Sequence, residues 1–165
     1  MTDKNPNNQA PLTIDYELTG SGWARCSVRV DSQHCELSAS YLSDALGKLV
    51  LAAVAVLAGA HSISVGFDEE PGEYRWNVVY LDNALVRLTL LEFDELWGNQ
   101  PDAEGRSLLI VTCSPLTFAK AVRAAAETVL KAHGVAGYKE RWGQHDFPSQ
   151  QLALLEAGIA AWERP

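Results

Sequence analysis

Twice along this chain an alternation of apolar and polar residues gives way to apolar residues at helical spacing. Ala24, Cys26, Val28 and Val30 alternate with Trp23, Arg25, Ser27 and Arg29, the period of a strand with one buried face. Leu42, Leu46, Leu49, Val50, Ala53, Val56 and Leu57 then recur every three to four residues, the period of a helix. Residues 62 to 67, 74 to 81, 84 to 93 and 107 to 113 again have strand content, and a second helical pattern follows. Strands that follow one another through short turns pair antiparallel, because a parallel pair needs a crossover of a dozen or more residues. The expected class is therefore α+β: two meander-plus-helix units whose meanders join into an antiparallel sheet with the helices packed on one face, and a C-terminal helix.

The punctuation agrees with this order. A strand over residues 12 to 20 meets the turn Gly20-Ser21-Gly22; Asp31-Ser32-Gln33 makes the next turn, and residues 34 to 38 return. Ser40 or Ser43 is the expected N-cap of the first helix, which is apolar on every side from Leu49 and stops at Gly59. In the second unit the turns are Glu70-Pro71-Gly72-Glu73 and Asp82-Asn83, and residues 97 to 106 form a polar loop. Ser114-Pro115 starts a helix that runs to His133 and stops at Gly134, since Ser caps free amides and Pro fits the first helical position. Residues 138 to 142 read as a basic linker, and Pro148-Ser149 opens a last helix lined by Leu152, Leu155, Ile159 and Trp162. At an offset of 74, Ser40 matches Ser114, Leu42 matches Leu116 and Ala45 matches Ala119, a faint internal repeat. Residues 1 to 11 read as a disordered leader, and 12 to 165 as one domain.

Charge is distributed far less evenly. Between Gly66 and Gly105 lie ten acids (Asp68, Glu69, Glu70, Glu73, Asp82, Glu92, Asp94, Glu95, Asp102, Glu104) against Arg75 and Arg87, which accounts for the whole net charge of -8. A field of this sign attracts cationic partners and repels nucleic acid and anionic lipid. The longest uncharged apolar run, residues 49 to 60, is well short of the roughly 20 residues a membrane helix needs. Three cysteines at unrelated spacings, without CxxC, point to a reducing, cytoplasmic setting.

Signatures of catalysis and cofactor binding are missing from the sequence. His34, His61, His133 and His145 are scattered singly, without HExxH, CxxC or EF-hand spacing, and no GxGxxG or GxxxxGK[ST] occurs. No metal or cofactor is expected. Cys113-Ser114-Pro115 occupies a strand-to-helix turn, but capping explains Ser114 and an inward strand position explains Cys113. Glu92, Asp94 and Glu95 could divide acid and base roles, yet neighbouring acids in a negative segment are usually a solvated face. The enzyme alternative places a cleft between the sheet and a tail bearing Trp142, His145 and Asp146. A second alternative is a homodimer or scaffold, paired through the strand edge near Glu92 or the last helix.

Exposed ion pairs add little affinity, so a binding surface needs desolvated aromatic or Arg anchors among its charges. Tyr74, Trp76, Phe93 and Trp97 are interleaved with the acids, and Trp97, beside Gly98 at the mouth of a polar loop, is the hardest to place in a core. Trp76 and Phe93 suit core and interface equally. In size, acidity, meander-plus-helix layout and lack of catalytic residues the chain resembles the immunity proteins of bacterial polymorphic and contact-dependent toxin systems. That resemblance implies a small, non-enzymatic cytoplasmic inhibitor of one cognate toxin, and it transfers no site residues. The expected partner-binding set is Asp68, Glu69, Glu70, Glu73, Tyr74, Glu92, Asp94, Glu95 and Trp97, facing a cationic protein surface.

Overall fold

The computed structural model describes residues 11–165, so the leader expected at the N-terminus lies outside the described residues except for Pro11. The elements follow the order read from the sequence. Strands β1 (Leu12–Gly20), β2 (Trp23–Val30) and β3 (Gln33–Ser40) precede helix α1 (Ala45–Leu57). Strands β4 (Ser62–Asp68), β5 (Glu73–Tyr80), β6 (Val86–Phe93) and β7 (Arg106–Cys113) precede α2 (Pro115–Trp142) and α3 (Ser149–Trp162). The fold is α+β. The meanders remain two separate antiparallel sheets, ordered β1-β2-β3 and β4-β5-β6-β7.

Each sheet turns one face inward. Leu12, Ile14 and Tyr16 of β1, Cys26 and Val28 of β2, and Cys35 and Leu37 of β3 join Trp76, Val78, Leu88, Leu90, Leu109 and Val111 of the second sheet in one core with the helices. The outer face of the first sheet carries charges of alternating sign: Arg25 pairs with Glu17 and Arg29 with Asp15. Opposite charges across neighbouring strands suit a solvated sheet face.

Helix α1 begins one residue later than a Ser43 cap would place it and four later than a Ser40 cap would. Asp44 is the N-cap, its carboxylate accepting from the Gly47 amide, while Ser43 Oγ instead accepts from the Asp68 amide and ties the helix entrance to the end of β4. Ser114 caps α2 as expected, accepting from the Thr117 amide, with Pro115 at the first position. Gly134 does break α2, at φ 66° and ψ 174°, a conformation that favours glycine. The chain then resumes as helix, and this corrects the basic linker. Tyr138 and Trp142, four residues apart, point inward and are buried, while Lys139, Glu140 and Arg141 face solvent. Trp142 Nε1 donates to the Ser43 carbonyl at 3.3 Å, which holds this last turn against the start of α1.

Candidate interaction surface

One end of the four-stranded sheet gathers acids that are distant in sequence. The β4–β5 turn closes where Asp68 pairs with Glu73 and the Glu69 amide donates to the Gly72 carbonyl at 2.9 Å. The segment leaving β6 folds against that turn: the Leu96 amide donates to the Pro71 carbonyl at 2.7 Å. Contact is close enough that a Cβ at Gly72 would overlap the Phe93 carbonyl oxygen, so the position suits only glycine. Trp97 follows with φ 58° and an indole 70% exposed, whose Nε1 donates to Asp68 Oδ2 at 3.3 Å. Asp68, Glu69, Glu70, Asp94, Glu95 and Trp97 therefore share one tip. Glu70, Asp94, Glu95 and Trp97 are exposed there, and Asp68 and Glu69 are half-buried.

The rest of the expected set is placed differently. Beyond the tip, the loop turns back over the outer face of β5 and covers Arg75. Its guanidinium donates to Glu73 Oε1 from Nε at 3.1 Å, to the Gln100 carbonyl at 2.8 Å and to Asp102 Oδ1 at 2.7 Å, and lies 4.1 Å from the centroid of the Phe93 ring. Burial opposes the charge of Arg75, but the hydrogen bonds to Asp102 and Glu73 outweigh it and raise the pKa. Asn77 adds a bond from Nδ2 to Asp102 Oδ2 at 2.8 Å. Glu73 is thus committed to an internal pair, and Glu92 likewise pairs with Arg106. The sequence sign was available: Arg75 is one of only two bases among ten acids, and a base so outnumbered attracts the acids its own chain can reach.

Tyr74 alternates to the opposite face from Arg75, half-buried against β3, where its hydroxyl bonds with Ser38. Burial and then the nearby Glu69 raise its pKa, with the Ser38 bond and Arg106 opposing. Trp76 and Phe93, equally suited to core and interface, are both buried. Trp76 packs on Phe67 at 5.5 Å, while Phe93 forms the floor under Arg75.

The remaining chemical candidates do not converge. Asp146 pairs with Lys139 at 3.1 Å, and the open depression beside Trp142 is lined by Ser21, Gly22, Tyr41, Glu140, Arg141, Gly143 and Gln144 rather than by His145 or Asp146. Cys26, Cys35 and Cys113 are free and buried; burial pushes Cys35 and Cys113 up to about 11, which suppresses thiolate nucleophiles. Among the described residues no three His, Cys, Asp or Glu side chains gather as a metal would require. Among the described residues no helix is long and apolar enough to cross a membrane. On α2, Lys120 pairs with Glu163 and Arg123 with Glu127. Comparison with protein-family models, with curated proteins and with solved structures finds no match.

Proposed function

We propose that this chain is a non-enzymatic binding protein that docks a cationic protein surface on the acidic tip of its four-stranded sheet. The observation that carries the reading is the junction of the β4–β5 turn with the segment after β6, which assembles Glu70, Asp94 and Glu95 around an indole that is 70% exposed yet hydrogen-bonded to Asp68. The acids act mainly on encounter rate and choice of partner, through a field that decays over roughly 8 to 10 Å at physiological salt. Trp97 supplies what charge alone does not: a large, oriented aromatic face that loses little side-chain freedom on contact and favours a lysine or arginine lying over it. In its specific form the proposal is an immunity protein of a bacterial cytoplasm that neutralises a cognate toxin by covering its basic surface. Free, buried thiols are compatible with that compartment.

The test starts from the reading frame next to this one, which the proposal requires to encode a toxic C-terminal domain; a harmless product there would count against the immunity reading. A one-to-one complex is expected, with an association rate that falls as salt rises. The quadruple variant Asp68→Lys, Glu70→Lys, Asp94→Lys, Glu95→Lys is expected to stay folded and to lose protection of cells that express the toxin. Full protection by that variant would end the proposal.

A further inference from the structure

Helices α1 and α3 lie side by side and leave between them an apolar groove of about 470 Å³, open to solvent and lined by Val54, Leu57, Ala58, Gly158, Ala161 and Trp162. The two helices touch at Gly158, where a Cβ would stand 3.2 Å from Leu57 Cδ1. One wall is fixed by Trp162, whose Nε1 donates to the Leu57 carbonyl at 2.8 Å and whose side chain is 44% exposed. Because that bond is made within the chain, the exposed ring face asks no polar group of whatever covers it. Helical spacing extends both walls: Leu51 stands on the row of Val54 and Ala58, and Leu154 on the row of Gly158 and Ala161. Leu51 is 45% and Leu154 57% exposed. None of these positions is charged, in a chain of net charge -8. Contiguous apolar surface of this kind marks a site of interaction and not a solvated face.

Charge and area decide what covers it. The acidic tip lies at the other end of α1, where Ser43 Oγ accepts from the Asp68 amide, and the helix from Asp44 to Leu57 is about 20 Å long. That exceeds the roughly 8 to 10 Å over which exposed charges act at physiological salt. The groove therefore neither attracts the cationic partner of the tip nor sets two acidic copies against each other. An uncharged face suits another uncharged face, and a second copy supplies one. A two-fold contact further requires a projection and a hollow on the same patch, and Leu154 projects one turn away from the hollow at Gly158. The exposed parts of Leu51, Leu154 and Trp162 amount to about 300 Å² per copy, half of the roughly 600 Å² that each side of a small stable interface buries, and the groove lining adds to that. We propose that two copies of this chain pair here about a two-fold axis, α3 against α3 in antiparallel sense, with Leu154 of each copy seated in the groove of the other. Both acidic tips stay free, so each chain still takes one partner.

Sedimentation equilibrium of the full chain, from micromolar to submillimolar concentration, is expected to move from 18.0 kDa toward twice that mass. Leu154→Glu and Ala161→Glu each place a carboxylate in the contact twice per dimer and should weaken pairing about a hundredfold or more. Both positions are exposed in the single chain, so the urea midpoint at low concentration is expected to stay where it is. Leu154→Ala, which only removes the projection, keeps the test open should an acid disturb folding, and is expected to weaken pairing about tenfold or more. Protection through the acidic tip should persist in all three variants, which separates a failure here from a failure of the proposed function. The control, Ile110→Glu on the edge strand β7, where the side chain is 53% exposed, should leave the dimer intact. A monomer at every concentration, a dimer that survives both acids, or one dispersed only by Ile110→Glu would each overturn the inference.

Discussion

Replacing Arg75 by Met keeps most of the side chain's volume and removes its charge, which isolates what the guanidinium does beneath the loop. The pair with Glu73 is shielded, at 15% and 16% side-chain exposure, and a charged hydrogen bond in such a place contributes about 2 kcal/mol. Asp102 is 58% exposed, so its pair is screened and adds about 0.5 kcal/mol. The contact over Phe93 contributes about 0.5 kcal/mol more. Because these contacts share one group they do not add fully, and with the bond to the Gln100 carbonyl a loss of about 3 kcal/mol is expected. With a urea dependence of about 2 kcal/mol per molar for a chain this size, the unfolding midpoint should fall by about 1.5 M. The control is Arg25→Met, whose pair with Glu17 is 50% and 55% exposed and should cost less than about 1 kcal/mol. Hydrogen exchange adds a local readout: the Leu96 amide, bonded to Pro71, should exchange faster in Arg75→Met and unchanged in Arg25→Met. Equal midpoints for the two variants would refute the idea that Arg75 pins the loop.

Two further outcomes follow from the burial pattern. Trp142→Ala removes a side chain that is 1% exposed, along with its bond to the Ser43 carbonyl, and should cost about 4 kcal/mol by urea unfolding; a loss below about 1 kcal/mol would show that the limb beyond Gly134 is not docked. Burial raises the pKa of Cys26, Cys35, Cys113, Tyr16 and Tyr138, so the unfolded chain gives up these protons at lower pH than the folded one. Stability is then complete below the ordinary thiol range and falls as pH rises from about 9 through 11; Cys113 alone steepens the loss by up to about 1.4 kcal/mol per unit. A pH-independent unfolding midpoint between pH 8 and 11 would contradict this.

The strands and helices were legible because each announces itself locally. Alternation marks β2, the Ser114-Pro115 pair marks the start of α2, and Gly134 marks its break. The last turns of α2 were misread because Lys139 and Arg141 drew attention to charge, while Tyr138 and Trp142 at helical spacing were the better signal for a docked face. Local pattern could not choose among Ser40, Ser43 and Asp44 as the cap of α1, since that choice depends on Ser43 being recruited by the distant Asp68 amide. Nor could it separate one sheet from two, because joining them is a matter of edge geometry and not of periodicity. For the surface, sequence supplied the acids and Trp97, but the division of those acids between solvent and Arg75 rests on contacts such as that of Arg75 with Asp102, 27 residues away.

Every lysine among the described residues, Lys48 in α1 and Lys120, Lys131 and Lys139 in α2, belongs to a helix, and none lies in the sheet that carries the acids. Amine acylation would therefore mark those helices, and Lys4 outside the described residues, while leaving the side chains of the acidic sheet unmodified.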